Sequence, residues 1–148
     1  MGIKNGIPFL ILIVEDDEDD RIIIDEAFEE IGYVSQVKKF INGQSLIDYL
    51  EKMEPSLYPS LIVLDNSLPQ MDASQLLTNL KNDTRYTHIP IIVYASSVSP
   101  QKKEKLMSMG AYACIEKEAL MDNIIAVAKE LRNVAEAQVR DPLPGSHG

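Results

Sequence analysis

The sequence predicts an α/β protein in which five βα units wind around one five-stranded parallel sheet, with helices on both faces. Short apolar runs rich in Ile, Val and Leu alternate five times with segments whose apolar residues recur at helical spacing. Runs of this kind are typical of parallel strands, which are buried on both faces. Strands that alternate with helices indicate right-handed crossovers and a doubly wound sheet. A chain of 148 residues can bury the core of one such domain.

The first βα unit begins with the apolar run Phe9–Val14, which predicts the first strand. Gly32 marks the end of the first helix. A weaker strand, Val34–Phe40, leads through Asn42-Gly43 into the second helix. The apolar residues at helical spacing are Ile24, Ala27, Phe28 and Ile31 in the first helix, and Leu46, Ile47, Leu50 and Met53 in the second.

The other three units follow the same order. Their predicted strands are Leu61–Asp65, Ile91–Ala95 and Tyr112–Ile115. Ser99 and Pro100 supply a cap and a first-turn proline for the fourth helix, and Gly110 ends it. The residues expected to face the sheet are Ala73, Leu76, Leu77 and Leu80 in the third helix, and Leu120, Ile124, Val127, Leu131 and Val134 in the last.

One folded domain is predicted over residues 8–137, after an N-terminal extension at 1–7. Residues 138–148 are expected to form a flexible tail, because the prolines within 141–145 cannot continue a helix. The run at 7–14 has the length of a signal-peptide core. Its acidic flank and the lack of a small-residue cleavage site favour a strand instead.

The charge balance argues against two classes of partner. The chain has 14 basic and 23 acidic residues and a formal net charge of −9, so we expect neither nucleic acid nor an anionic membrane as the main partner. Its single cysteine, Cys114, rules out an internal disulfide and fits a reducing compartment. The sequence therefore predicts a cytoplasmic protein.

Charged residues stand where three of the predicted strands end. Glu15-Asp16-Asp17 follows the first strand, Asp65 ends the third, and Lys117 follows the fifth. Ligands of open α/β sheets bind at the carboxyl ends of the strands. Carboxylates and an ammonium at that edge predict a site for a hard divalent cation and a phosphoryl group.

The acidic residues have a second interpretation as first-turn helix acids, which the helix dipole favours. If Glu15 and Asp16 were only helix acids, the presence of Asp65 and Lys117 at the ends of two other strands would be a coincidence. For residues 17–20 we expect a solvated helix start rather than metal ligands.

Several short motifs fall in the order and spacing of one known family. They are Val14-Glu15-Asp16-Asp17, Leu64-Asp65, Leu68-Pro69, Met71-Asp72, Ile89–Val93, Met109-Gly110-Ala111 and Lys117. Over about residues 8–136 the chain resembles the receiver domain of two-component response regulators. The resemblance implies a flavodoxin-like fold. The segment 80–90 is most similar to single-domain regulators that partner phytochrome-type histidine kinases.

The resemblance implies a role for each charged residue. Asp65 would accept the phosphoryl group, and Lys117 would pair with it. Glu15, Asp16, Asp65 and the backbone carbonyl of Ser67 would hold Mg²⁺. The implied partners are a sensor histidine kinase or a histidine phosphotransfer protein, together with an output protein that the sequence does not identify. A monomer or a weak homodimer is expected, with no enzymatic activity beyond self-phosphorylation and self-dephosphorylation.

Two positions depart from the family pattern. Ala95 stands where the family has Thr or Ser, and Cys114 stands at the place of the switch aromatic residue. We expect true loss of the hydroxyl, with Ser96 offering its backbone N–H. The alternative is a small register change that lets the Ser96 hydroxyl substitute.

These departures keep a second function class open, a constitutive interaction module in which phosphorylation is weakly coupled to output. A third class is a hydrolase with Asp65 as nucleophile, like aspartate-based phosphatases. Those enzymes carry a second acid two residues after the nucleophile, and Ser67 stands there in this chain.

Overall fold

The computed structural model describes residues 9–66, 73–117 and 121–143, which form one five-stranded parallel sheet with helices on both faces. The strands are β1 (Ile11–Val14), β2 (Val37–Phe40), β3 (Leu61–Asp65), β4 (Ile91–Ala95) and β5 (Ala113–Glu116). The helices are α1 (Glu18–Glu30), α2 (Gly43–Glu51), α3 (Ala73–Lys81), α4 (Pro100–Ser108) and α5 (Met121–Arg140). The predicted fold class is confirmed.

The strands lie in the order β2-β1-β3-β4-β5, and all four pairings are parallel. The chain moves outward from β1 to β2 and then crosses back to β3 on the other side of β1. The strand order therefore reverses between β1 and β3, where open α/β sheets bind their ligands. β2 and β5 form the two edges, and β2 carries Lys38 and Lys39 between its two buried end residues.

The sheet separates two apolar clusters. One lies beneath α2, α3 and α4 and the other beneath α1 and α5. Alternate residues of each central strand enter opposite clusters, which explains why β1 and β3 are apolar without interruption before Asp65. Each fully buried Leu or Ile side chain contributes about 1.5–3 kcal/mol relative to exposure. The strand residues on the α2/α3 side include Leu12, Val14, Ile62 and Leu64, and those on the other side include Ile11, Ile13, Leu61 and Val63.

Among the residues that the structure describes, side chains cap three of the helices at their N-termini. The capping oxygens belong to Asp17 for α1, Asn42 for α2 and Ser99 for α4, and each accepts a backbone N–H three residues later. Two glycines with positive φ follow helices, Gly32 at 82° and Gly110 at 108°. The predicted cap of the fourth helix and both glycine stops are confirmed.

Four strand boundaries differ from the predicted ones. β1 begins at Ile11 rather than Phe9, and β5 ends at Glu116 rather than Ile115. Val34–Gln36 is a 3₁₀ turn rather than the start of β2, because the Gln36 N–H donates to the Tyr33 carbonyl at 3.0 Å. This local turn satisfies backbone groups that a strand would have paired across the sheet. β5 begins one residue later than predicted, after Tyr112, whose N–H donates to Ile91 at 2.7 Å.

Helix α5 continues through Arg140, so the prediction of a flexible tail from residue 138 is wrong for residues 138–140. Gln138 is buried, and its amide donates to the His88 carbonyl at 3.2 Å. That bond allows a polar residue to extend the buried face of the helix. The predicted extension at 1–7 and the end of the tail lie outside the described residues.

The buried stripe of α5 is also displaced from the predicted one. It consists of Ile124, Ala128, Leu131, Ala135 and Gln138. Val127 and Val134, predicted to face the sheet, are partly buried at its flank, and Leu120 lies outside the described residues. Within the described ranges, no helix has the length and apolar character needed to cross a bilayer.

Candidate functional site

Backbone hydrogen bonds place three charged residues at the carboxyl edge of the sheet. The Glu15 N–H donates to the Phe40 carbonyl at 2.9 Å, which continues the β1–β2 ladder by one residue. Asp65 is the last residue of β3. The Lys117 N–H donates to the Ala95 carbonyl at 2.7 Å, directly after β5. The ends of the strands thus bring these side chains to the same edge.

The Lys117 ammonium lies among three carboxylates. Its Nζ is 2.8 Å from Glu15 Oε1, 3.0 Å from Asp20 Oδ2 and 3.3 Å from Asp65 Oδ2. Glu15 and Asp65 are buried. Buried carboxylates of this kind need a cation, because burial without one is unfavourable. The structure therefore brings together Glu15, Asp65 and Lys117, as the sequence predicted.

Two of these carboxylates, together with that of Asp16, have the geometry of a cation site. Glu15, Asp16 and Asp65 each offer one oxygen, and these oxygens all lie within 4.8 Å of one another. A set of carboxylate oxygens, with Asp16 exposed to water, suits a hard divalent cation. The residues present fit such an ion. Ser67 lies outside the described residues, so its carbonyl as a further ligand stays a prediction.

Burial, together with the neighbouring Asp65 carboxylate, changes the pKa of Glu15. Burial raises this pKa to about 7, and the hydrogen bond with Asp65 acts in the same direction. Lys117 and the Asp17 N–H, which donates to Glu15 Oε2 at 3.2 Å, oppose the rise. Near neutral pH the acidic cluster therefore favours an added proton or cation.

The pKa of Lys117 is raised, whereas burial alone would lower it. Burial lowers it, but the contacts with Glu15 and Asp20 outweigh burial, and the pKa lies above its usual value. Lys117 is therefore an ammonium throughout the physiological range.

Glu15 makes folding stability depend on pH. Its pKa is about 7 in the folded protein against an ordinary 4.5. Between these values the folded state binds a proton that the unfolded state has released, so the free energy of unfolding should fall as pH rises through this range. The fall due to Glu15 should be about 3 kcal/mol in the absence of divalent cations. Urea unfolding at several pH values should show it in the wild type and not in Glu15→Gln. Parallel pH profiles for the two proteins would contradict the assignment.

Two contacts of Lys117 were not predicted from the sequence. Asp20 was expected in a solvated helix start, yet it is hydrogen-bonded to Lys117. The Tyr94 ring centroid lies 5.6 Å from the Lys117 Nζ, within the range of a cation–π interaction. The only feature of the sequence that pointed to the Tyr94 contact was the position of Tyr94 beside the end of β4. For the Asp20 contact it was a helical position one turn after the acidic triplet.

The three predicted switch positions lie on one side of this site. Ala95 is buried at the end of β4, and its carbonyl binds the Lys117 N–H. Ser96 is exposed in the bend that follows. Cys114 is partly buried in β5 opposite Val93, and burial raises the pKa of its thiol. At position 95 the site therefore has a methyl group and no hydroxyl.

Sequence comparison identifies the family. Residues 11–129 match the family described as "Response regulator receiver domain". A similar relative is the probable methanogenesis regulatory protein FilR2 of Methanothrix harundinacea, which is 27% identical over 139 residues, or 93% of this chain and 90% of the relative.

Structural comparison supports the same fold. The phosphorylated cyanobacterial phytochrome response regulator RcpA superposes with a TM-score of 0.75 at 24% identity, over 92% of this chain and 98% of the other. The Mn²⁺-bound response regulator Rcp1 superposes with a TM-score of 0.74 at 20% identity, over 93% and 99%. Because the family match covers most of the sequence, the resemblance seen in its motifs is confirmed: this chain belongs to the response regulator receiver domains of two-component systems.

Proposed function

We propose that this protein is a cytoplasmic receiver that accepts a phosphoryl group on Asp65 from a histidine kinase or a histidine phosphotransfer protein. Receiver domains are signalling domains that pair with such proteins and bind a divalent metal in an acidic pocket. The observation that carries the proposal is the position of the Lys117 ammonium, 3.3 Å from the buried Asp65 carboxylate and 2.8 Å from Glu15.

The proposed reaction transfers one phosphoryl group between two protein side chains. An Asp65 carboxylate oxygen forms the new bond to phosphorus, the P–N bond of the donor phosphohistidine breaks, and the imidazole leaves with a proton from solvent. The product is an acyl phosphate on Asp65. Such a transfer depends mainly on positioning and on neutralising charge, which the residues around Asp65 are arranged to supply.

Lys117 supplies one positive charge to the phosphoryl oxygens. Its Nζ faces the same carboxylate that would carry the group, so the ammonium lies within reach of the group once it is attached. Mg²⁺, which Glu15, Asp16 and Asp65 would hold, supplies further neutralisation of the phosphoryl charge when bound.

A small acyl phosphate tests the proposal without the unknown kinase. With acetyl phosphate and Mg²⁺, intact mass should show one added phosphoryl group, and hydride trapping followed by peptide mapping should place it on Asp65. The same incubation with EDTA serves as the control and should give no adduct. A label on another carboxylate, or no adduct at saturating Mg²⁺, would refute the proposal.

A constitutive interaction module is the second candidate, because Ala95 offers no hydroxyl to a phosphoryl oxygen. A hydrogen bond to a charged group is worth about 1.5–3 kcal/mol, so its loss weakens coupling between phosphorylation and conformation. In that case Asp65 is still phosphorylated, but partner binding is equal in the two states. Affinity for a partner with and without beryllofluoride, a phosphoryl mimic, separates the two candidates.

A further inference from the structure

Asp20 shares the ammonium that the proposed reaction needs. Lys117 Nζ donates a hydrogen bond to Asp20 Oδ2 at 3.0 Å, while Glu15 and Asp65 oxygens lie at 2.8 and 3.3 Å. An ammonium has three N–H donors. Three carboxylate oxygens therefore already surround it. Phosphorylation converts the Asp65 carboxylate into a neutral acyl group and places the charge on the phosphoryl oxygens, which then compete with Glu15 and Asp20 for the ammonium.

The three carboxylates differ in how easily they can leave. The side chain of Asp20 is 37% exposed, against 1% for Glu15 and 2% for Asp65. Water can solvate Asp20 once it separates from the lysine, whereas the buried Glu15 carboxylate would cost several kcal/mol if it were left without a cation. Asp65 is no longer a carboxylate once it is phosphorylated. Of the two carboxylates that remain, Asp20 is thus the one whose release from Lys117 costs less.

Asp20 is also held in place when no phosphoryl group is present. It is the third residue of α1, and its backbone N–H donates to the capping Asp17 Oδ1 at 3.1 Å. The first turn of the helix therefore fixes the Asp20 backbone beside the end of β5. Its carboxylate remains available to Lys117 without folding of any further segment.

We propose that Asp20 is a positioning residue that holds Lys117 in the unphosphorylated receiver and is exchanged for the phosphoryl group when Asp65 is phosphorylated. The inference rests on the proposed phosphoacceptor function. Because Asp20 competes for the ammonium, it lowers the affinity of the site for a phosphoryl group. The exchange also makes the contacts of Asp20, at the start of α1, depend on whether Asp65 of β3 is phosphorylated.

Beryllofluoride binding at saturating Mg²⁺, followed by ¹⁹F NMR, measures this competition. Asp20→Asn keeps the shape of the side chain and removes its charge, so the affinity should rise about two- to fivefold, as expected for a partly exposed ion pair. Asp19→Asn is the matched control, since Asp19 is exposed on the same helical turn and is not among the described ion-pair partners of Lys117. The control should change the affinity much less. Equal effects of the two substitutions, or weaker binding by Asp20→Asn, would overturn the inference.

A second measurement uses the wild-type protein. The ¹³C resonance of the Asp20 carboxyl should shift when beryllofluoride binds, because the carboxylate loses its lysine partner, while the Asp19 resonance should change little. An unchanged Asp20 resonance in a protein that does bind beryllofluoride would overturn the exchange alone. Failure of the wild type to bind beryllofluoride at all would contradict the phosphoacceptor function, and the inference with it.

Discussion

Asp65→Asn is expected to abolish the phosphoryl adduct formed with acetyl phosphate and Mg²⁺. The amide has nearly the shape of the carboxylate, so β3 should be undisturbed. It lacks the anionic oxygen that attacks phosphorus, and it removes one negative charge from the cluster of Glu15, Asp16 and Asp65. Intact mass after incubation measures the adduct directly.

Asp19→Asn provides the control for this substitution. It makes the same chemical change at an exposed carboxylate of the same sheet edge, and its adduct should form as in the wild type. An adduct of equal yield in Asp65→Asn would place the nucleophile on another residue. The assignment of Asp65 would then have to be abandoned.

Lys117→Ala is expected to affect both stability and chemistry. It leaves the buried carboxylates of Glu15 and Asp65 without their ammonium, so the free energy of unfolding should fall by about 3–5 kcal/mol in EDTA. The effect should be largest above pH 7, where Glu15 is ionised. Mg²⁺ should restore part of the stability, because a cation in the cluster replaces the lost charge. Loss of a charge that neutralises the phosphoryl group should also slow adduct formation by about 10²-fold.

Urea unfolding at pH 8, in EDTA and in Mg²⁺, measures the effect of this substitution on stability, and the rate of adduct formation with acetyl phosphate measures its effect on chemistry. Lys129→Ala, which removes an exposed lysine from α5, should leave both stability and adduct formation close to the wild type. If Lys117→Ala were as stable as Lys129→Ala in EDTA, the buried carboxylates would not depend on the ammonium, and the electrostatic account of the site would be wrong.

Local patterns were sufficient to predict the strands that form the site. The apolar run of β3 ends at Asp65, and Pro90 precedes β4, so both strands were predicted with the boundaries observed. The side chains at the ends of parallel strands must share an edge, which is why the meeting of Glu15, Asp65 and Lys117 could be predicted as well.

Contacts that depend on how a helix leaves the sheet were not predictable in the same way. Asp20 and Lys117 are 97 positions apart, and their hydrogen bond depends on where the first turn of α1 lies relative to β5. No periodic pattern in the sequence depends on the position of α1 relative to β5, so none predicts this contact. Similarly, Gln138 is typical of a surface, and its burial is explained by the hydrogen bonds that its amide makes with the His88 carbonyl and the Leu143 N–H.

The two open edges of the sheet carry charge, and this bears on how the protein behaves at high concentration. On β2, Lys39 pairs with Asp25, and the Lys38 ammonium lies 5.2 Å from the Tyr49 ring centroid. On β5, Glu116 is exposed at the end of the strand. Another strand that added to either edge would have to desolvate these charges. The charges on both edge strands therefore oppose growth of the sheet from one molecule into the next and disfavour β-aggregation.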